Sequence, residues 1–258
     1  MGSVWQVART VLIEAVRRKE IYAIVLVASL LIGVVMTMDF FNLDGLTKFY
    51  REFALKVMSA ATAVTVIVLA ARQLPREFEH RTIYTLLARP ITRAQFLLGK
   101  LLGVWLAAGF CFGLFMVVYL LGMWHLDGAV SVGLFLQYLY LQMVMMLLLA
   151  TLGFLLSMLS NVDAAITFGV LLYILGSSLA SMMGLLYEYA TAPAQKALVG
   201  LTWIIPQVML FDLSEKTVHA EVWDPLSVGT LAGLTVYGLI FAGLYFLGTV
   251  ALLRRKAL

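Results

Sequence analysis

The 258-residue sequence is poor in charged side chains, which make up 12% of it, whereas soluble domains carry about 25%. It has one cysteine, Cys111, inside an apolar run, which excludes a disulfide framework and argues against a zinc or redox role. Low-complexity tracts and clear internal repeats are also missing. Hydrophobic residues make up 63% of the chain. This composition predicts a polytopic membrane protein with a single transmembrane domain over residues 1–258.

Six stretches are nearly free of charge over enough residues to cross about 30 Å of hydrocarbon. A charge at the centre of a membrane helix costs about 2.5–3.5 kcal/mol on insertion scales, so these stretches predict an all-α fold with six transmembrane helices. Lys56 interrupts the second stretch close to its end and is expected to reach outward to the interface. The six predicted spans are Ile21–Met38, Phe53–Ala71, Leu101–Trp124, Leu134–Ser160, Ala164–Tyr187 and Thr230–Leu253.

The basic residues predict the orientation, because lysine and arginine accumulate on the cytoplasmic side of membrane proteins. With a cytoplasmic N-terminus, thirteen of them lie inside and five outside, so both termini are predicted to be cytoplasmic. The inner set is Arg9, Arg17, Arg18, Lys19, Arg72, Arg76, Arg81, Arg89, Arg93, Lys100, Arg254, Arg255 and Lys256. The outer set is Lys48, Arg51, Lys56, Lys196 and Lys216.

Two segments outside the spans also carry helical patterns. Residues 1–19 alternate apolar and basic faces at helical spacing and include Trp5, which predicts an amphipathic helix lying in the membrane interface. An ordinary cytoplasmic cap helix is the alternative. Residues 188–228, here called the outer element, include Trp203 and Phe211 and are too apolar for a loose loop. They predict one or two short helices on the outer membrane face.

The longest charged segment between apolar runs is residues 72–100. Pro75 is expected to end the helix of the second span, and residues 77–88 are predicted to form a separate short helix with an acidic first turn. Pro90 would stop that helix. A polar element of this size in an otherwise apolar chain indicates a soluble partner on the cytoplasmic side.

A second helix is predicted to follow directly and to run into the third span. Thr92 is placed to cap it, with Gln95 three residues later completing a capping box. Gly99 and Gly103 are spaced for close contact with another helix.

The order Glu-x-Glu-x-Arg-Thr-Ile-x-x-Leu-Leu-Ala-x-Pro-Ile-Thr-Arg-x-x-Phe-x-x-Gly-Lys, between the second and third of six spans, resembles permeases of ABC-2-type ATP-binding-cassette transporters. The likeness is strongest to the branch with the nitrous-oxide-reductase-maturation and gliding-motility permeases. It implies a bacterial inner-membrane protein that forms a dimer with a second copy of itself or with a homologous permease. It also implies a coupling helix that docks on a separate ATPase subunit, which binds ATP and Mg²⁺. The residues that match this coupling stretch are Glu77, Glu79, His80, Arg81 and Thr82. A solvated loop is the alternative interpretation.

Several other functions are disfavoured by what the sequence lacks. Gly99-Lys100 is not part of a phosphate-binding loop, because Ala94 occupies the position of the first glycine, so the chain is not expected to hydrolyse ATP. No carboxylate lies away from the ends of a span, which argues against an ion-coupled carrier. The histidines show no metal-ligand spacing, and no metal, cofactor or nucleic-acid partner is expected. The methionines Met143, Met145, Met146, Met182 and Met183 would suit copper, but packing is their commoner role.

Small and polar residues within the spans are candidates for helix contacts and for a transport path. A helix-packing or dimer face is predicted at Gly176, Ala180, Gly184, Gly229 and Gly233. Thr62, Thr65, Gln137 and Gln142 are expected either to bond across helices or to line a path. Two functions stay open on this evidence. One is the permease of an exporter for a lipidic or hydrophobic substrate. The other is a subunit that passes mechanical work to an extracytoplasmic partner protein.

Overall fold

The computed structural model describes residues 2–35, 37, 43–79, 92–126, 128 and 131–255, and the regular structure in these ranges is entirely helical. The all-α prediction is therefore confirmed for the described residues. The helices are α1 Gly2–Val16, α2 Lys19–Val35, α3 Leu43–Glu79, α4 Arg93–His125, α5 Val132–Leu159, α6 Val162–Tyr189, α7 Ala192–Ile204, a 3₁₀ turn at Val208–Phe211, α8 Ser214–Val218 and α9 Val228–Arg255.

Four of the described helices are long and apolar enough to cross a membrane. They are Gly45–Glu77, Arg93–His125, Val132–Leu159 and Val228–Arg255, and the shorter apolar helices Ile21–Val35 and Val162–Ser178 accompany them. The chain is thus a multi-pass membrane protein. Four of the predicted spans overlap the long helices and two overlap the shorter ones, and the count of six spans stays a prediction.

The helix α3 is longer than predicted at both ends, and the interpretation of Pro75 as a helix terminator is wrong. With 37 residues, α3 is about 55 Å long and continues past Pro75 to Glu79. Glu77 therefore belongs to α3 and does not begin a separate helix at 77–88; residues 80–91 lie outside the described ranges. The last turn of α3 holds despite the missing proline N–H because Glu77 pairs with Lys100 and Arg76 with Glu14, both on other helices.

The core is formed where α3 and α5 pack against each other, with α4 and α9 on the flanks of α5. Large side chains without solvent exposure fill it, among them Tyr138, Phe115 and Phe154. The helices α2 and α9 lie at the edge of the bundle and keep apolar side chains exposed, such as Leu30 and Leu247. Such apolar outer surfaces are those that lipid or another helix covers in a membrane protein.

The helix α1 packs along the first turns of α4 and is parallel to it. A Cβ atom added at Gly99 would lie 2.8 Å from Cβ of Val7, and one added at Gly103 would lie 2.5 Å from Cβ of Val11. The two glycines thus provide the close helix contact that their spacing predicts, and their partner is α1. The apolar face of α1 is buried in this contact, whereas Trp5 is exposed.

Candidate functional site

A buried charge lies where the end of α3 meets the beginning of α4. Lys100 is 5% exposed, and its Nζ donates to Oε1 of Gln73 at 3.2 Å and pairs with the carboxylate of Glu77. Taking a lysine out of water is costly unless it is paired and hydrogen-bonded, and both conditions are met here. These three residues, here called the stem cluster, join the two helices that flank residues 80–91.

The predicted cap of α4 is confirmed. The Oγ1 of Thr92 accepts from the backbone N–H of Gln95 at 3.3 Å, and Oε1 of Gln95 accepts from the backbone N–H of Thr92 at 3.0 Å. This reciprocal pair satisfies two of the N–H groups that a helix start leaves open. The beginning of α4, directly after residues 80–91, is therefore fixed by local bonds as well as by the stem cluster.

The residues of the predicted ATPase contact are distributed around this point. Glu77 faces Lys100, with 17% of its side chain exposed, and Glu79 is the last residue of α3. His80, Arg81 and Thr82 lie outside the described residues. The docking role of the five residues stays a prediction, and Glu77 has an ion-pair partner within the bundle, Lys100.

The outer element is fixed to the bundle by polar contacts with three helices. The amide of Gln137 on α5 donates to the carbonyl of Leu226 at 2.9 Å and accepts from its N–H at 2.8 Å. Tyr237 on α9 accepts from the backbone N–H of Gln207 at 3.0 Å. Arg51 on α3 is 8% exposed and donates to the carbonyl of Thr217 at 2.6 Å. Sequence reasoning placed Arg51 among the outer cations and missed this contact, since nothing local signals a carbonyl 166 residues away.

Residue Arg51 allows a matched test of this attachment. Replacing Arg51 with methionine removes the donor to Thr217, so we expect the outer element to loosen and its protease cleavage in detergent to rise severalfold. Lys48→Met removes the same charge from the same helix. The ion pair of Lys48 with Glu221 is 3.3 Å long and exposed, so this variant should change the cleavage of the outer element very little. Equal cleavage of both variants would contradict an anchoring role for Arg51.

Polar residues predicted inside the spans bond within the described bundle. Gln142 and Ser59 exchange side-chain hydrogen bonds of 3.3 and 3.2 Å between α5 and α3. Thr62 and Thr65 donate to carbonyls one turn earlier in α3, those of Met58 and Ala61. All three predicted residues are buried, and a role in a transport path stays a prediction.

The small residues of the predicted packing face have different surroundings. A Cβ atom added at Gly176 would lie 2.6 Å from the carbonyl oxygen of Pro206, so this glycine packs against the outer element of its own chain. Among the described residues, nothing lies within 4 Å of a Cβ atom added at Gly233, and one added at Gly229 has only Oγ of Ser227 nearby, at 3.9 Å. The helix face at Gly233 is therefore open to lipid or another chain. The side chains around Ala180 and Gly184 are outside the described set.

The described residues contain no group of three or more histidine, cysteine, aspartate or glutamate side chains that could hold a metal ion. Cys111 is buried, with its Sγ 4.0 Å from Oγ1 of Thr65. Two groups of described polar contacts thus lie at the two ends of an apolar bundle: the stem cluster at one end and the contacts of the outer element at the other.

Comparison with known proteins yields one family. The family model described as ABC-2 family transporter protein matches residues 14–257, which is nearly the whole chain. No curated protein matches the chain significantly.

Proposed function

Because this chain belongs to the ABC-2 family of transporter proteins, and so is an ABC transporter permease subunit, we propose that it serves an exporter of a lipidic or otherwise hydrophobic substrate. A separate ATPase subunit would supply the energy and bind ATP and Mg²⁺. The family match over residues 14–257 carries this proposal. The apolar outer surfaces of α2 and α9 support a substrate that enters from the bilayer.

The proposed assembly is a dimer of two copies in a bacterial inner membrane, with two ATPase subunits on the cytoplasmic side. Six spans per chain and cytoplasmic termini are supported by the six apolar helices and by the basic residues at the inner ends. The faces that include Gly176, Ala180, Gly184, Gly229 and Gly233 would serve helix packing, and the open surface at Gly233 suits a second copy.

The ATPase contact is proposed at Glu77, Glu79, His80, Arg81 and Thr82. The stem cluster supports this role because it holds both helices that flank residues 80–91 in one relative position. A displacement imposed there would move α3 and α4 together. Closure of the ATPase subunits on nucleotide would then shift the population between inward-facing and outward-facing states.

A path for the substrate is proposed along the contact between α3 and α5. In the arrangement described here, the Ser59–Gln142 pair closes this contact. Sliding of α3 against α5 would break that pair and expose Thr62, Thr65 and Gln142. Gln137 lies further along α5 and would remain bonded to Leu226 as a fixed point.

The length of α3 favours mechanical transmission to an extracytoplasmic partner as a second candidate function. One continuous helix carries Glu77 of the stem cluster and Arg51, the anchor of the outer element. Their sequence separation of 26 positions corresponds to about 39 Å of helix. Motion at the inner end would therefore reach the outer element directly, and a partner protein bound there would receive it.

Charge reversal tests the coupling role. We expect Glu79→Lys combined with Arg81→Glu to reduce substrate-stimulated or partner-stimulated ATP turnover at least tenfold, because it inverts both charges at the proposed ATPase contact. The measurement is ATPase activity of the reconstituted complex, together with co-purification of the ATPase subunit. Membrane insertion should not change.

The control is Asp163→Lys combined with Arg255→Glu, which reverses one acid and one base at exposed positions on the same predicted side. It should retain full coupling. Equal activity of the test variant and the control would contradict the proposed docking contact. ATP-dependent flux in proteoliposomes without other proteins would support export, whereas stimulation only by an outer partner would support mechanical transmission.

A further inference from the structure

A basic pocket of about 580 Å³ lies where α1 meets α2, beside the end of α3. Four positive side chains and one carboxylate contribute to it, which leaves a net charge of +3. The proposed transport and coupling roles do not use this pocket. Its lining is Thr10, Ile13, Glu14, Arg17, Arg18, Lys19 and Arg76.

The single carboxylate in the basic pocket is already neutralised. Oε1 of Glu14 accepts from Arg18 at 2.5 Å and from Arg76 at 3.2 Å. Among the described side chains, no carboxylate lies within ion-pair distance of Arg17 or Lys19, and both are exposed. The Nε atom of Arg18 is buried and has no hydrogen-bond partner. The basic pocket thus offers two unpaired cations and one unused donor to an anion.

An apolar groove of about 510 Å³ begins one turn further along α2. It lies between α2 and α3, and alanines on both helices, including Ala23 and Ala60, leave the space for it. Along α2 it extends from Ala23 to Leu31, which corresponds to about 12 Å. The full lining is Ala23, Ile24, Val27, Ala28, Leu31, Val57, Ala60, Ala61 and Val64. A hydrocarbon chain is the ligand that such a surface favours.

We propose that the basic pocket and the apolar groove together bind one anionic phospholipid of the cytoplasmic leaflet. Its phosphate lies among Arg17, Arg18 and Lys19, and one acyl chain lies in the groove. Basic pockets beside transmembrane helices on the cytoplasmic side recognise anionic head groups in this way. A soluble phosphate would leave the groove empty, and a second copy of the chain would leave the charge of the pocket uncompensated. The site goes beyond the proposed function, since it requires no ATPase subunit.

Lipid retention by the full-length purified chain tests this site. In native mass spectrometry, phosphatidylglycerol should remain bound at energies that remove phosphatidylcholine. R17Q combined with K19Q should weaken phosphatidylglycerol retention about 25-fold, because each basic residue near an anionic head group contributes about fivefold. The matched control, R254Q combined with R255Q, removes two exposed charges from the inner end of α9 and should retain the lipid.

A second variant addresses the apolar groove. Ala60 is exposed on its wall, so A60F should fill the groove without disturbing the core and should reduce phosphatidylglycerol retention severalfold. Inorganic phosphate should not compete with the lipid. The proposal would be overturned if the unmodified chain retained the two lipids equally, or if the R17Q/K19Q and R254Q/R255Q variants behaved alike. Unchanged retention in A60F, or displacement of the lipid by inorganic phosphate, would also overturn it. None of these outcomes bears on ATP coupling, so the two proposals fail separately.

Discussion

Replacing Lys100 with methionine is expected to lower the free energy of unfolding by about 3–5 kcal/mol. The substitution removes the ammonium group that pairs with the carboxylate of Glu77 and donates to Gln73, in a site where Lys100 has little exposure. Thermal unfolding of the purified chain in detergent should show a decrease in Tm of about 10 °C for a protein of this size. The loss should be accompanied by early cleavage near residues 80–91 under limited proteolysis.

A double variant tests whether removing both charges of the Lys100–Glu77 pair costs less stability than removing Lys100 alone. Lys100→Met combined with Glu77→Met replaces both charges by apolar groups of similar size and should recover most of the lost stability. Lys56→Met is the control on α3, because it removes a lysine from an exposed pair with Glu52, where the expected change is below about 1 kcal/mol. Unchanged stability of Lys100→Met would contradict the role of the stem cluster.

Replacing Gly103 with leucine is expected to separate α1 from α4. Even a Cβ atom at this position would lie 2.8 Å from the carbonyl oxygen of Ala8, which is a backbone atom and has no rotamer to change. The helix contact must therefore open, and the resulting overpacking should cost about 3 kcal/mol or more. Faster hydrogen exchange in residues 2–16 would report the release of α1 directly.

Gly113 on the same helix provides the control for Gly103. No atom in the described part of the chain lies within 4 Å of a Cβ atom added there, so Gly113→Leu should leave exchange in α1 unchanged. It should also raise the intrinsic helix propensity of α4 slightly. Equal hydrogen exchange of α1 in both variants would contradict the prediction that the close contact at Gly103 holds α1 against α4.

These two expected results connect the fold to the proposed coupling. The stem cluster and the α1 contact both act on the first turns of α4, which directly follow residues 80–91. Glu14 adds a third connection, since it pairs with Arg76 near the end of α3. An ATPase subunit that moves residues 80–91 would therefore displace α1, α3 and α4 as one unit.

Local sequence rules were sufficient for part of the structure. Long uncharged runs predict the apolar helices because a chain in hydrocarbon must satisfy its backbone groups internally. Thr92 and Gln95 predict their capping box because both partners lie within one turn. The motif between the second and third spans resembles the family that the match over residues 14–257 then shows.

Other features depend on residues far apart in the chain. Pro75 predicts a helix end by local rules, yet contacts of Arg76 and Glu77 with other helices keep the last turn of α3. The sequence marked Gly103 as a contact, but only packing identified α1 as its partner. Arg51 looked like one more outer cation until folding buried it against Thr217.

Composition and local pattern thus determined that this chain forms apolar helices with a charged segment on one side, because hydration and backbone bonding act within a few residues. Tertiary structure alone decided which charges are buried in pairs, which remain open in the basic pocket, and which helices these contacts join. Those outcomes depend on distances between residues that are remote in sequence, and periodicity carries no information about such distances.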